Sequence, residues 1–582
     1  MSIPTATVQT SGRRAVVAVW YGVICHTGFV LALASMMVAM YFGMSRSLGR
    51  VPQPWGWVAN AALLLAFPVL HSILLSTRGR AVLARLAPAG TGATLSTTTY
   101  VIIASAQVFA LFALWTPSGT IWWHARSALD ALAIEWDEGP NAKLGSADVA
   151  AMLKAGLDAP EAYVGNSQGD AKGALAGAAK VVEAVYSYPY QNHAPMEVMN
   201  ATAKFTLSAA GAPERCEVWT PTQNGEAALA ATAEAAGLKP AQCEVYKIHL
   251  GGGFGRRGGT DYVRKAVLIA KEMPGVPIKM LWSREEDMAQ GRFHPVTQCK
   301  LVAGLDDKGE IAGLHMRIAG QSILATVNPQ MIRDGKDPVV FQGLNPPGPE
   351  ASIGYTFPAL RVDHAMRNPS VPAGFWRGVN LNQNTIYLEC FIDEIAHATQ
   401  QDPLALRRKL MAKSPKHLAV LNAVAAKIGY DKPAPAGVFR GIAQTMGFGS
   451  YVAAIAEVSV GKGGELTIHR IVAGTDCGNA VNPQQIEAQV EGSFVYGLSA
   501  ALYQECTVKD GRIEQTNFHN YPSLKMAQMP KVETVLVPSG DFWGGVGEPT
   551  IAVAAPAVLN AIFAATGKRI RNLPLKDQLS KA

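Results

Sequence analysis

The residues best suited to chemistry are a run of glycines and one carboxylate beside a turn. HLGGGFGRRGG at 249–259 follows the strand-like VYKIHL. Glycines lack a Cβ, so the main chain at Gly252, Gly253, Phe254 and Gly255 can approach a ligand closely and turn several N–H donors toward one oxygen-rich group. The segment is not a Walker loop, because GK[ST] is missing, and it lacks the acidic residue that follows a dinucleotide-binding GxGxxG about 20 positions on. Taken alone it reads more readily as a tight turn beside a packed strand. Glu548 lies in GVGEP, just ahead of the helix-forming PAVLNAIFAATG; a carboxylate buried there can act as a general base. Three further segments carry polar groups between these two: WTPTQN at 219–224 with Gln223, NPSVPAGFWRGVN at 368–380 with Arg377, and DCGNAVNPQQIEAQVEGSFVYG at 476–497 with Gln489. Arg377 also reads as an ordinary ion-pair partner, and Gln489 as part of a solvated helix face.

The chain that must position these groups has 582 residues, enough for about three or four domains. Its 49% hydrophobic and 16% charged content, with 56 Gly and 35 Pro, describes loop-rich globular protein carrying extra apolar segments and excludes disorder. A formal charge of +7 is modest, and no Lys/Arg run is long enough to track phosphates, which argues against a nucleic-acid partner. Seven cysteines are scattered without a CxxC pair, so neither a zinc nor an iron–sulfur ligand set is legible and no metal ligand is assigned.

Three apolar stretches fill the first 117 residues: Ala15 to Met44, Trp55 to Ser76 and Thr99 to Trp115. A bilayer core of about 30 Å needs about 20 helical residues, so the first two are long enough to cross and the third is marginal. A cleavable signal peptide fits poorly, and GRRAVV lacks the rest of a twin-arginine signal. Arg13, Arg14, Arg78, Arg80 and Arg85 fall on one side of alternating spans and Arg46 and Arg50 on the other, which favours a cytoplasmic N-terminus in an inner (cytoplasmic) membrane. Three spans place the remainder outside the cytoplasm; two keep it inside. His26 and His71 lie within the first two spans and read either as haem or metal ligands or as histidines satisfied by a neighbouring helix. FPVLHSILLSTRGRAVLARLAP followed by LSTTTYVIIASAQVFALFALW resembles small membrane proteins of the NnrU and thiol-methyltransferase-like type. After residue 124 no further span is expected. ARSALDALAIEWDEGPN at 125–141 reads as a short amphipathic helix running into a strand and a turn, and valine-rich strands then alternate with Ala/Leu-rich helices. The boundary falls near TPSGTIWW.

In order and spacing, WTPTQN, GGGFGRR, FWRG, DCGNAVNPQQIEAQ and GGVGEP resemble the molybdopterin-binding domains of xanthine dehydrogenase, aldehyde oxidoreductase and carbon monoxide dehydrogenase. EWDEGPNAK and YSYPYQNHAPMEVMNATA bring the likeness nearest to the isoquinoline 1-oxidoreductase β subunit and the membrane-associated aldehyde dehydrogenases. The likeness runs from about residue 124 to the C-terminus. It implies an α+β fold of molybdenum-cofactor-binding domains behind an α-helical transmembrane segment. It also implies molybdopterin, in its cytosine dinucleotide form, with molybdenum. By the same likeness Gln223 bonds the oxo or sulfido face of the metal, Gly252 to Gly255 lie against it, Arg377 stands beside the cofactor, Gln489 holds the pterin or its nucleotide tail, and Glu548 is the base. The implied reaction oxidises an N-heterocycle or aldehyde with water as the oxygen source. Electrons then leave to a [2Fe–2S] subunit and a cytochrome c subunit, since no iron–sulfur ligands are legible here.

Two departures from the family pattern matter. Gly258 stands where xanthine-type members carry a substrate-orienting glutamate, behind Arg256 and Arg257, so purines are poor candidates. Members also begin with an MGQG-type loop and a whole hammerhead-like domain, of which only the tail is expected here. The expected domains are therefore 1–123 (membrane segment), 124–165 (hammerhead remnant), 166–435 and 436–582 (first and second molybdopterin-binding domains). The alternative to a membrane-tethered enzyme is a cofactor-poor fusion or truncated chain, a pseudo-enzyme anchored in a membrane.

Overall fold

The computed structural model describes residues 12–42, 47–51, 55–115 and 122–580. Arg46, the end of the first apolar stretch, and residues 116–121 of the expected boundary lie outside the described residues. The chain divides into two compact units, Met1–Asp137 and Glu138–Ala582.

In the first unit three helices, Gly12–Phe42, Trp55–Leu75 and Gly92–Ala113, contain windows long and apolar enough to cross a membrane, with mean hydropathy 2.0, 2.0 and 1.5. Only 11% of each window is buried. Leu64, Leu65, Val30 and Phe29 are exposed. Some polar side chains within the helices pair with one another or with backbone: Tyr21 with Thr99 at 2.9 Å, Tyr100 with His71 at 2.5 Å, and His26 with the Gly22 carbonyl of its own helix at 2.8 Å. A basic helix, Thr77–Leu86, capped by Ser76, joins the second and third long helices. The strand expected after Leu132 does not form. Residues 131–139 have no ladder partner among the described residues, and Trp136 is exposed; alternation of apolar residues makes a strand only where another strand accepts its hydrogen bonds.

Among the described residues the second unit holds three larger sheets and a two-stranded ribbon, Val508–Lys509 with Arg512–Ile513. The largest runs in the order Tyr163–Gln168, Leu360–Met366, Ile311–Gly320, Thr297–Leu305, Lys180–Tyr188. The other two share one plan. In the first, a hairpin of Asn200–Leu207 and Pro213–Thr220 leads through the helix Gly225–Ala236 to Cys243–Lys247, which lies parallel to the hairpin's second strand. In the other, the hairpin Ser450–Val460 with Leu466–Asp476 leads through the helix Pro483–Leu502 to Lys531–Leu536, again parallel to the second strand. A fourth strand pairs antiparallel with each hairpin's first strand, Ile278–Leu281 following in one case and Phe439–Gly447 preceding in the other. The GGGFG loop and the GVGE turn thus hold the same place: each leaves the parallel edge strand and enters a second helix, Asp261–Lys271 or Ala554–Thr566. Because two parallel strands end on the same side of a sheet, Gln223 and GGGFG emerge together, and so do the Asp476–Asn482 turn and the segment leading to Glu548.

One core joins the largest sheet, the C-terminal sheet and the helices Leu381–Ala398, Pro415–Ile428 and Ala554–Thr566. A smaller one, with Val218, Val263 and Val267, underlies the GGGFG sheet. Fully burying each such aliphatic side chain contributes about 1.5–3 kcal/mol before entropy is charged against it. Residues 549–566, which the sequence reading did not treat as span-like, do meet the length and hydropathy of a span. They are 78% buried, packed on the C-terminal sheet. Composition cannot separate a core helix from a lipid-facing one; the neighbours decide.

Candidate cofactor site

The GGGFG loop is shaped by its own backbone. Gly252 and Gly255 sit at φ 92° and 102°, and between them Phe254 adopts φ 53°, a left-handed conformation that a bulky residue holds only when its surroundings over-determine it. Those surroundings are aromatic. The Phe254 ring stacks on Tyr496 at 4.3 Å, and Tyr496 stacks on Trp376 at 4.5 Å. Tyr496 donates to the His193 carbonyl and Trp376 to that of Asn192, so both rings are pinned at their polar ends. A Cβ on Gly255 would lie 1.8 Å from the Phe375 carbonyl oxygen, which ties the loop directly to FWRG.

The loop's N–H groups divide into two sets. Gly251 donates to Glu197, and Gly255 and the residue after Arg256 donate to Oε1 of Gln223 at 3.1 and 3.2 Å. Gly252, Gly253 and Phe254 have no acceptor among the described residues. Since Gln223 has its carbonyl oxygen fixed in this way, its Nε2 is left as a donor that no described residue uses. Gln489 repeats the arrangement: Oε1 accepts from Arg377 at 3.0 Å, and Nε2 remains a donor.

Arg377 is buried and makes no ion pair among the described residues. Its Nε donates to the Gly547 carbonyl at 2.8 Å, and one terminal nitrogen donates to the Gln489 carbonyl, Gln489 Oε1 and Ser493, each at 3.0 Å. Its own N–H donates to the Phe254 carbonyl at 2.9 Å, and the next N–H, of Gly378, donates to Oε1 of Glu548 at 2.9 Å. GGGFG, FWRG, the Gln489 helix and GVGE therefore meet at Arg377 and Gly378. Burial raises the Glu548 carboxyl above its ordinary range, opposed by the Gly378 N–H and the Arg377 charge, and its second oxygen has no partner among the described residues.

Several contributors have no role assigned to them from the sequence. Arg257 is fully buried, donating to the Gly252 and Glu197 carbonyls and to the Glu197 carboxylate at 2.9 Å. Arg256 is buried against Asp261 in a two-pronged pair. Both arginines brace the loop from behind. His193 holds the FWRG turn by donating from Nε2 to the Phe375 carbonyl at 2.8 Å, and burial pulls its pKa down to about 3. QNHAPMEV, read as a family mark without a role, carried the available signal for His193 and Glu197.

The cradle matches known folds. The quinoline 2-oxidoreductase of Pseudomonas putida 86 superposes with a TM-score of 0.62 at 14% identity, over 78% of this chain and 83% of that one. Residues 157–411 and 424–530 each match a family model described as a molybdopterin cofactor-binding domain. The β subunit of isoquinoline 1-oxidoreductase from Brevundimonas diminuta is 29% identical over 395 residues, 67% of this chain and 49% of the relative. The membrane-bound aldehyde dehydrogenase (pyrroloquinoline-quinone) of Gluconacetobacter polyoxogenes is 26% identical over 475 residues, 77% of this chain and 60% of the relative. The chain thus spans about half the length of these relatives. It carries the molybdopterin-binding domains of the xanthine dehydrogenase family and is homologous to molybdopterin-dependent oxidoreductases.

Proposed function

We propose that this chain is the molybdenum-cofactor subunit of a hydroxylase that oxidises an N-heterocycle or an aldehyde. In this reading the three apolar helices tether it to a membrane, and electrons pass to a [2Fe–2S] subunit and then to a cytochrome c. The observation that carries the reading is the meeting of four distant segments at Arg377 and Gly378, with donors left over. The N–H groups of Gly252, Gly253 and Phe254 and the amide nitrogens of Gln223 and Gln489 fit a group rich in oxygen and nitrogen acceptors, which a molybdopterin, with or without a cytosine dinucleotide tail, would be.

When bound, the molybdenum cofactor supplies the two-electron oxidation of substrate with oxygen drawn from water. The chain supplies position and a proton acceptor. Gln223 and the glycine loop would hold one side of the group and Gln489 the other, and Arg377 ties the two walls together, by its N–H to the Phe254 carbonyl on one and by its side chain to Gly547 and Ser493 on the other. Glu548, held by one oxygen and bare at the other, takes the proton released as water oxygen is delivered. Its raised pKa makes it a better acceptor than an ordinary carboxylate.

The test compares wild type with Glu548→Gln in a host that makes the cofactor, reading molybdenum per chain and turnover of isoquinoline and an aldehyde. Equal metal with lost turnover supports the assignment. A variant as active as wild type removes it, and a wild type without metal favours the cofactor-poor reading.

A further inference from the structure

A cavity of about 530 Å³ opens between the edge strand Tyr163–Gln168 and the start of the Pro415–Ile428 helix, lined by none of the residues of the cofactor site. That volume lies within the roughly 300–1,000 Å³ of small-molecule sites. Tyr451, Phe357 and Ile353 give it apolar walls, and no Asp or Glu lines it.

Its polar end is built around His417, of which only 5% is exposed. Nδ1 lies 2.8 Å from Oε1 of Gln444. The Gln444 amide is oriented by its other end, which donates to Glu389 at 3.2 Å, and Glu389 is a carboxylate held by the buried Arg407 at 2.9 Å. Gln444 therefore accepts, Nδ1 carries the proton, and Nε2 presents a lone pair that no described residue uses. Burial lowers the His417 pKa to about 4, so the ring is neutral at ordinary pH. Gly354 fixes its place: a Cβ there would come within 2.5 Å of Nδ1.

Around this acceptor stand groups that attract negative charge. The Pro415–Ile428 helix has no side-chain cap, so its first N–H groups are left to a ligand or solvent. The Lys416 ammonium is taken by both oxygens of Asp541 at 2.9 Å, whereas Lys413 has no ion-pair partner among the described residues. An occupant that uses all of these groups carries negative charge and yet donates a proton to His417. A carboxylate or sulfate lacks the donor, and an alcohol lacks the charge.

We propose that this cavity binds a small phosphate monoester with an apolar or aromatic body. The ester binds as its monoanion, whose P–OH donates to Nε2 of His417 while its anionic oxygens meet the helix N-terminus and Lys413.

The test is calorimetric titration of the full chain in detergent micelles at about pH 5, below the second phosphate pKa of about 6, with phenyl phosphate and with phenyl sulfate, which has the same ring and single charge but no acidic proton. Saturable phenyl phosphate binding, with phenyl sulfate weaker by about tenfold or more, is expected. Lys413→Glu, an exposed change, should weaken phenyl phosphate by a similar factor, and His417→Phe should erase the preference for phosphate over sulfate. If His417→Phe fails to fold, the wild-type comparison and Lys413→Glu decide. Equal affinity for the two esters, or no saturable phenyl phosphate binding, overturns the proposal. Binding indifferent to Lys413→Glu also overturns it, by locating the phosphate elsewhere, the cofactor cradle included.

Discussion

The backbone N–H of Gly378 donates to Oε1 of Glu548 at 2.9 Å, across 170 positions of sequence, while the N–H one residue earlier donates to the carbonyl of Phe254. Two consecutive peptide groups thus hold the proposed base and the glycine loop in one frame. Neither is free to shift without the other.

Glu548→Gln keeps the shape and the Gly378 hydrogen bond but cannot take a proton. Turnover should fall by about 10²- to 10⁴-fold with molybdenum content unchanged. The folded pKa lies above the unfolded value near 4.5, so ionisation opposes folding. The variant should therefore be more stable than wild type at pH 7, and that gap should close as pH falls through the raised folded pKa toward 4.5 and be gone below it. Denaturation midpoints at pH 7 and pH 4 check this; a gap that widens on acidification contradicts the buried carboxyl.

Arg377→Lys retains the charge but not the fork. It leaves acceptors of Gly547, Gln489 and Ser493 without donors, and each buried unsatisfied group costs about 1–3 kcal/mol. A melting point lowered by several degrees together with loss of metal is expected. An unchanged melting point would mean that the walls are held otherwise.

Much of this site was legible because its devices are local. Glycine spacing announced the loop, and GVGEP ahead of an Ala-rich helix announced a carboxylate at a helix entrance. What sequence could not show was direction. Arg256 and Arg257 follow GGGFG as if offered to a ligand, yet both turn inward to carboxylates and carbonyls that arrive from residues 197, 252 and 261. The Phe254–Tyr496–Trp376 stack joins three segments by ring faces, and no spacing encodes that. The duplicated sheet plan was hidden for a similar reason: its fourth strand follows the hairpin in one copy and precedes it in the other.

Glu197→Gln removes the charge opposite fully buried Arg257 and weakens the anchor of Gly251. Leaving one charge of such a pair uncompensated costs up to about 3–5 kcal/mol, less here because Glu197 is partly exposed. Hydrogen exchange should quicken across 249–259 more than elsewhere. Uniform protection in that segment would show that the pair does not brace the loop.

Asp363, buried in the largest sheet, is held by Arg317, Arg361 and His315. Burial pushes its carboxyl up, but the hydrogen bonds from His315 and Arg317 outweigh this and keep it well below the usual range. Its stabilisation is present above the unfolded pKa of about 3.8 and is lost as pH falls toward the folded value. Asp363→Asn should cost about 3–5 kcal/mol at pH 7 by leaving arginine charge unpaired, and less at pH 3. Equal losses at both pH values would contradict the ionised state assigned to it.

The most direct measurement is molybdenum and pterin per chain in the full-length protein and in a Gln223→Ala, Gln489→Ala double variant, both expressed in a host that makes the cofactor. Both side chains are exposed, so the fold should persist while two of the cradle's donors disappear. Metal and pterin together in wild type, and about tenfold less of both in the double variant, is the predicted result. Wild type without metal, or a double variant that retains as much as wild type, would contradict the cradle.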